Sequence, residues 1–292
     1  MPRMGFIGLG KMGIHIASRI NTKFHLTGVY NRTPEKAIAI DGEAVRVFRT
    51  PYDLAYYCDT IFVMVSDSQV SARVFDGPEG ILGNLRQGQT VVNMSTVSLE
   101  ETLRESEACA SRGARYIDAP VIGSVPQARE GTLTMVAGGD QKAFEEVREV
   151  CSTFCSRIFY LGQVGNGIKA KLVNNSVMAI NMAAVCEALA LAERLGLSRS
   201  EMLDILSSGG ADSRVLQMKR PYLLGEATEP QFLLSHMLKD SRYAMDLAAS
   251  VNWPMPVTSV SSQMYASAAS IGLGNLDFSS VLRAFRMLGG KM

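Results

Sequence analysis

The chain has 292 residues, with 29 Lys+Arg against 28 Asp+Glu, a formal net charge of +1, and 47% hydrophobic and 20% charged residues. This excludes a disordered chain, which combines low hydrophobicity with high net charge. It also leaves no global basic field to hold a phosphate backbone, so no nucleic-acid partner is expected.

The opening residues, MPRMGFIGLG, run straight into a glycine-rich motif without the apolar region and cleavage site of a signal peptide. Met4–Ile7 reads as a strand, followed by a helix over about 11–20 and a second strand over 26–30. Further strands are expected at 60–65, 90–93, 114–118 and 133–137, then a helix from Gln141 and a last strand at 158–161. Strands alternating with helices imply βαβ units and a mainly parallel sheet. From Gly167 onward β-rich runs nearly vanish and Ala, Leu and Met dominate. A long helix is expected over about 168–195, ended by Gly196, with shorter ones at 200–207, 234–251, 257–271 and 278–288. The stretch 177–192 is apolar but carries Asn181 and Glu187, so a buried helix explains it better than a membrane span. The resulting fold class is α/β: an N-terminal Rossmann-type dinucleotide-binding domain (1–163) and an all-helical C-terminal domain (164–292), joined by the long helix. Five cysteines, at 58, 109, 151, 155 and 186, are odd in number and dispersed. Cys151 and Cys155 are spaced to share a helix face, but reduced core thiols are the better reading, with no metal and a cytoplasmic location.

Gly8-Leu9-Gly10-Lys11-Met12-Gly13 is G-x-G-x-x-G between a strand and a helix. Gly8 permits the tight turn, Gly10 lets the backbone approach a pyrophosphate, and Gly13 allows close helix–strand packing. The helix N-terminus then offers N–H groups and a positive dipole end to the phosphates. At the end of the second strand, Tyr30-Asn31-Arg32-Thr33 lacks the carboxylate that binds an NAD ribose. Arg32 suits a 2′-phosphate, Asn31 and Thr33 can hydrogen-bond it, and Lys36 adds charge. NADP is therefore expected in preference to NAD, with NAD still possible.

Three more segments follow in order: Asn93-Met94-Ser95-Thr96 after a strand, Asp118-Ala119-Pro120-Val121-Ile122-Gly123-Ser124, and Gly165-Asn166-Gly167 leading to Lys171-Leu172-Val173-Asn174-Asn175. Together with the glycine motif they resemble the β-hydroxyacid dehydrogenase family, which includes 3-hydroxyisobutyrate dehydrogenase and the tartronate, glyoxylate and succinic semialdehyde reductases. The resemblance covers essentially the whole chain. It implies hydride transfer between a nicotinamide and a small carboxylic or aldehyde-acid substrate, with Lys171 as general acid/base and Asn175 as its partner. Lys171 and Asn175 are i and i+4, on one helix face, and an ammonium group there would stabilise and protonate the developing oxyanion. The resemblance also assigns Val65, Thr96 and Lys239 to the cofactor, and Ile122, Gly123, Ser124, Asn174 and Phe232 to the substrate. A handful of positives (Arg32, Lys171, Lys239) would meet these anionic ligands despite the neutral balance.

One position departs from the family pattern. Members acting on 3-hydroxyisobutyrate-type acids carry Ser-Gly-Gly where this chain has Ile122-Gly123-Ser124. A hydrogen bond to a charged group contributes about 1.5–3 kcal/mol, so its loss shifts substrate preference unless Ser124 or the Gly123 N–H substitutes. Two alternatives stand beside the dehydrogenase: an imine reductase-like NADPH enzyme, which Lys171 argues against and Ile122 leaves open, and a non-catalytic dinucleotide-binding protein. The Ala- and Met-rich second half suggests a homodimer or homotetramer.

Overall fold

The computed structural model describes residues 2–42 and 45–289. In chain order the first part comprises β1 (Met4–Ile7), α1 (Gly13–Phe24), β2 (Gly28–Tyr30), β3 (Arg46–Val47), α2 (Pro51–Tyr57), β4 (Thr60–Val63), α3 (Ser68–Phe75), β5 (Thr90–Asn93), α4 (Leu99–Ala110), β6 (Arg115–Asp118), β7 (Val121–Ile122), α5 (Val125–Glu130), β8 (Leu133–Gly139), α6 (Gln141–Cys151) and β9 (Cys155–Tyr160). The second comprises α7 (Asn166–Arg194), α8 (Arg199–Ser207), α9 (Arg214–Leu224), α10 (Leu234–Ala249), α11 (Pro256–Ala268) and α12 (Val281–Leu288). Two compact units divide between Lys171 and Leu172, inside α7.

In the first unit the strands run β3-β2-β1-β4-β5-β6-β8-β7, with β9 against β8. The first six are parallel in the order of a doubly wound nucleotide-binding sheet, and the order reverses direction at β1/β4, where such folds bind ligands. β8 is antiparallel to β6 and β7, and β9 is parallel to β8. The central strands are continuous apolar runs because both faces are covered. Their residues alternate accordingly: Phe6, Phe62 and Val92 enter one core, while Ile7, Ile61, Val63 and Val91 enter the other. Side chains after the strand ends start the helices. Asp67 accepts from the Val70 N–H and Ser98 from the Glu101 N–H, satisfying donors that a helix start leaves unpaired.

In the second unit, Ala179, Met182, Cys186 and Leu189 of α7 pack with Leu216, Met237, Tyr265 and Phe278. A buried ion pair, Lys219 Nζ to Asp277 Oδ2 at 2.7 Å, lies at its centre, and the N–H groups of Gln231 and Phe232 also reach Asp277. Among the described residues α7 is the one helix long and apolar enough to cross a membrane, and half of its most apolar window is buried.

Several expectations need correction. Cys151 ends α6 and Cys155 begins β9, so the pair shares no helix face. The helix 257–271 stops at Ala268, because Gly272 takes φ +86° in the wider turn Ala269–Leu273. Helix α9 was not expected, as Pro221 inside it interrupts the helical pattern. α1 begins at Gly13 rather than 11, leaving residues 10–12 as the turn that enters it.

Candidate active site

The glycine motif joins the carboxyl end of β1 to α1. Gly8 sits at φ +100°, and a Cβ there would come within 2.1 Å of the Met64 carbonyl oxygen. A Cβ at Gly13 would lie 2.0 Å from the Gly8 carbonyl oxygen. Both glycines are thus demanded by the protein's own backbone. Gly10 is different: a Cβ there meets no protein atom within 4 Å. Its bareness serves no internal packing and fits a group approaching the loop from outside. Leu9 is held by its N–H, which donates to Asn31 Oδ1 at 2.9 Å. Asn31 Nδ2 donates to the Thr33 carbonyl at 2.8 Å, so most of this amide is spent on shaping the loop. Arg32 and Thr33 are exposed, and Arg32 makes no ion pair among the described residues. Lys11 and Met12 lie in the turn into α1.

Val65 and Thr96 follow β4 and β5 at the same edge of the sheet. The Val65 side chain stands over Gly8, its Cγ1 3.3 Å from a Cβ placed there. Its N–H donates to Ser95 Oγ at 2.9 Å. The structure therefore brings Gly8, Leu9, Asn31, Val65 and the Ser95–Thr96 segment to one edge. The bare Gly10, the helix start and the exposed Arg32 fit a phosphorylated dinucleotide.

Asp118, at the end of β6, is buried. Its Oδ1 accepts from the Gly165 N–H at 2.9 Å and its Oδ2 from the Ile168 N–H at 2.8 Å. This carboxyl group caps the first turn of α7, the helix that carries Lys171 one turn further on. Burial pushes it up to about 7, opposed by the backbone N–H groups it receives. Lys171 is itself buried, at 7% exposure. Of the predicted substrate residues in this unit, Ile122 pairs with Thr134 across β7 and β8. Gly123 takes φ +130°, and a Cβ there would press within 2.6 Å of Leu133. Ser124 caps α5 in a reciprocal box with Gln127, whose Oε1 accepts from the Ser124 N–H at 2.9 Å. A hydroxyl accepting a cap bond keeps its own proton to donate.

In the second unit a chain of side chains converges on Asp240. Asn174 Nδ2 donates to Asn175 Oδ1 at 3.1 Å, and Asn175 Nδ2 donates to Asp240 Oδ2 at 2.7 Å. Lys239 Nζ lies 2.9 Å from Asp240 Oδ1. The Lys239 and Asp240 side chains are 16% and 2% exposed, so this is no solvated surface pair. Asp240 Oδ2 thus holds Asn175, while its buried Oδ1 faces the Lys239 ammonium group as a charge contact without an aligned hydrogen bond. Phe232 stacks edge-on against His236 and Phe278, with its N–H directed at Asp277. Sequence reasoning assigned no role to Asp118 or Asp240. The only signals were the place of Asp118 in the Asp-Ala-Pro run and of Asp240 beside Lys239.

Two family models match the chain in succession. Residues 3–162 match the family model described as the NAD binding domain of 6-phosphogluconate dehydrogenase. Residues 165–285 match that described as NAD-binding of NADP-dependent 3-hydroxyisobutyrate dehydrogenase. The chain belongs to the β-hydroxyacid dehydrogenase family, 3-hydroxyisobutyrate dehydrogenase type, a family of NAD(P)-dependent hydroxyacid dehydrogenases and semialdehyde reductases. Among its relatives, glyoxylate/succinic semialdehyde reductase 1 of Arabidopsis thaliana is 35% identical over 283 residues, covering 97% of this chain and 98% of the relative. The cytokine-like nuclear factor N-PAC of Gallus gallus is also 35% identical over 97% of this chain, which spans about half of that longer protein, 51%. Among solved structures, Mycobacterium tuberculosis 3-hydroxyisobutyrate dehydrogenase with L-serine superposes with a TM-score of 0.86 at 28% identity, covering 98% of this chain and 99% of that one.

Proposed function

We propose that the protein is an NADP-preferring reductase and dehydrogenase that interconverts a small β-hydroxy acid and its semialdehyde. The observation that carries this reading is a buried lysine, Lys171, on a helix whose start is held by Asp118, with Asn175 one turn on and bound to Asp240. The bound dinucleotide would supply hydride to the aldehyde carbon in reduction and accept it from the hydroxyl-bearing carbon in oxidation. In reduction Lys171 gives a proton to the oxygen as negative charge develops on it; in oxidation the neutral amine takes the hydroxyl proton. Asn175, its amide fixed by Asp240, positions the substrate or the Lys171 ammonium group. Arg32 supports the NADP preference, being an exposed guanidinium where an NAD-selective fold carries a carboxylate. Ile122 in place of a serine points away from 3-hydroxyisobutyrate itself and toward a substrate with less polar demand there.

The five cysteines support a reducing compartment, which we take to be the cytosol. All are buried and free, and burial pushes Cys58, Cys109 and Cys151 up to about 12. A second reading, a dinucleotide-binding protein without turnover, is kept beside it because N-PAC, 35% identical over 97% of this chain, carries the name of a cytokine-like nuclear factor and not of an enzyme. A screen of NADPH oxidation with glyoxylate, succinic, methylmalonate and tartronate semialdehydes and cyclic imines separates these readings. Turnover of a semialdehyde or of glyoxylate supports the reductase, imine turnover would replace it, and NADPH binding without any turnover would establish the second reading.

A further inference from the structure

Glu105, on α4, is a carboxyl group with no exposure to solvent. Its Oε1 accepts from Ser71 Oγ at 2.5 Å, and its Oε2 accepts from Asn93 Nδ2 at 2.8 Å and the Tyr116 hydroxyl at 2.7 Å. Helix α3 and strands β5 and β6 thus each send one donor to a single carboxyl group. An apolar side chain would fill such a site without the cost of burying a polar one. The array is therefore not explained by packing.

Asn93 is the pivot. One end of its amide faces Glu105, and its Oδ1 accepts from the Ser95 N–H at 2.9 Å. With a carboxyl on one side and an N–H on the other, only one orientation of the amide satisfies both. Ser95 Oγ in turn accepts from the Val65 N–H, and Val65 stands over Gly8. A continuous path of hydrogen bonds runs from Glu105 through Asn93 and Ser95 to Val65.

We propose that Glu105 is a positioning residue for the dinucleotide cradle, fixing through Asn93 and Ser95 the two loops that carry Val65 and Thr96. The proposal rests on reading the Gly8–Gly13 edge as the cofactor site. Burial raises the Glu105 carboxyl to about 7 against the pull of its three donors. The relay survives protonation, because a neutral carboxyl donates to Ser71 Oγ while its other oxygen still accepts from Asn93 and Tyr116. What the relay requires is this three-way geometry, not the charge.

Two substitutions separate geometry from mere filling of the core. In Glu105→Gln the amide nitrogen donates to Ser71 Oγ and the oxygen accepts from Asn93 and Tyr116. Glu105→Leu keeps the bulk and loses every bond. Amide hydrogen exchange at Val65 and Ser95 and NADPH affinity by fluorescence titration are the readouts. In Glu105→Leu both amides exchange about tenfold faster or more and the NADPH Kd rises about tenfold or more, the size expected when a bond supporting a binding group is lost. Glu105→Gln stays within about threefold of wild type on both, since it keeps those bonds. A folded Glu105→Leu with a lower melting temperature but wild-type exchange at both amides and wild-type Kd would overturn the proposal. Should that variant not fold, Asn93→Ala removes the middle of the relay together with the Asn93 Nδ2 bond to Ser71 Oγ at 3.2 Å. Faster exchange at Val65, which Asn93 does not touch directly, supports the relay, and unchanged Val65 exchange refutes it. Failure of the wild-type protein to bind NADPH defeats the cofactor reading, while amide exchange still judges the relay.

Discussion

Lys171 differs from an ordinary helical lysine in being buried, and its proposed work demands an amine that gains and loses a proton. Lys171→Ala should lower kcat by about 100-fold or more while leaving NADPH affinity intact. Lys171→Arg should not restore turnover, because a guanidinium keeps its proton. A loss of less than tenfold in the alanine variant would sink the acid/base role. Ile122 sets a separate expectation. Ile122→Ser places a hydroxyl beside the Gly123 N–H, and one hydrogen bond to a carboxylate is worth about 1.5–3 kcal/mol. The kcat/KM for 3-hydroxyisobutyrate should then rise by about tenfold or more, the kinetic equivalent of that energy. Arg32→Ala should raise the KM for NADPH by a similar factor and leave that for NADH near its wild-type value, since only NADPH carries the 2′-phosphate. Equal effects on the two cofactors would refute Arg32 as the discriminator.

At the scale of the element, α7 is the part on which the site depends, and its start is fixed by one carboxyl group. Asp118→Ala removes the acceptor for the Gly165 and Ile168 N–H groups and leaves buried donors unpaired. A destabilisation of about 2 kcal/mol is expected in urea unfolding. Turnover should fall further than the folded fraction does, because the helix start that presents Lys171 has lost its anchor. The helix itself was legible in the sequence, since glycines bracket an Ala- and Leu-rich run. Its anchor was not, because Asp118 bonds to backbone N–H groups 47 and 50 residues away, and no side-chain pattern reports such a contact. Asp240 was hidden for the same reason, reaching Asn175 across 65 residues. Asn31 shows the converse. Its residue type suits a phosphate ligand, yet the fold uses most of its amide to hold Leu9 and Thr33. The glycine motif read well because two of its glycines are dictated by local backbone geometry. Helix α9 did not, because a proline inside a helix is tolerated only through tertiary context.

Two properties belong to the whole molecule. Asp118 and Glu105 both titrate near 7 when folded, raised by burial, against about 4 in an unfolded chain. Between these values the folded state holds protons that the unfolded state has released, so the stability contributed by these two groups is fullest below about 4 and is lost as pH rises through 7. Asp59 and Glu146, lowered by their arginine partners, instead contribute stability that is lost only in stronger acid, below the pH 5–8 interval. His15, lowered by partial burial, acts in the opposite sense as a single ring. Urea midpoints should therefore be higher at pH 5 than at pH 8, and Glu105→Gln should flatten that slope. A midpoint that rises over this interval would refute the assignment. The second property is assembly, which we propose to be a homodimer or homotetramer. Val173, Val177, Leu191 and Leu195 are 57%, 52%, 60% and 67% exposed. They recur at four-residue or two-heptad spacings along α7 and past its end, so they form an apolar stripe on a helix of 29 residues. At 1.5 Å per residue that helix is about 44 Å long. Soluble monomers rarely leave so extended an apolar surface uncovered, and a second copy, meeting the same stripe about a two-fold axis, covers both at once. Sedimentation at micromolar concentration should give a dimer or tetramer for the wild-type chain and a folded monomer for the Val177→Asp, Leu191→Asp double variant. A wild-type protein that sediments as a monomer would refute the assembly, and an unchanged oligomer in the double variant would move the interface off α7.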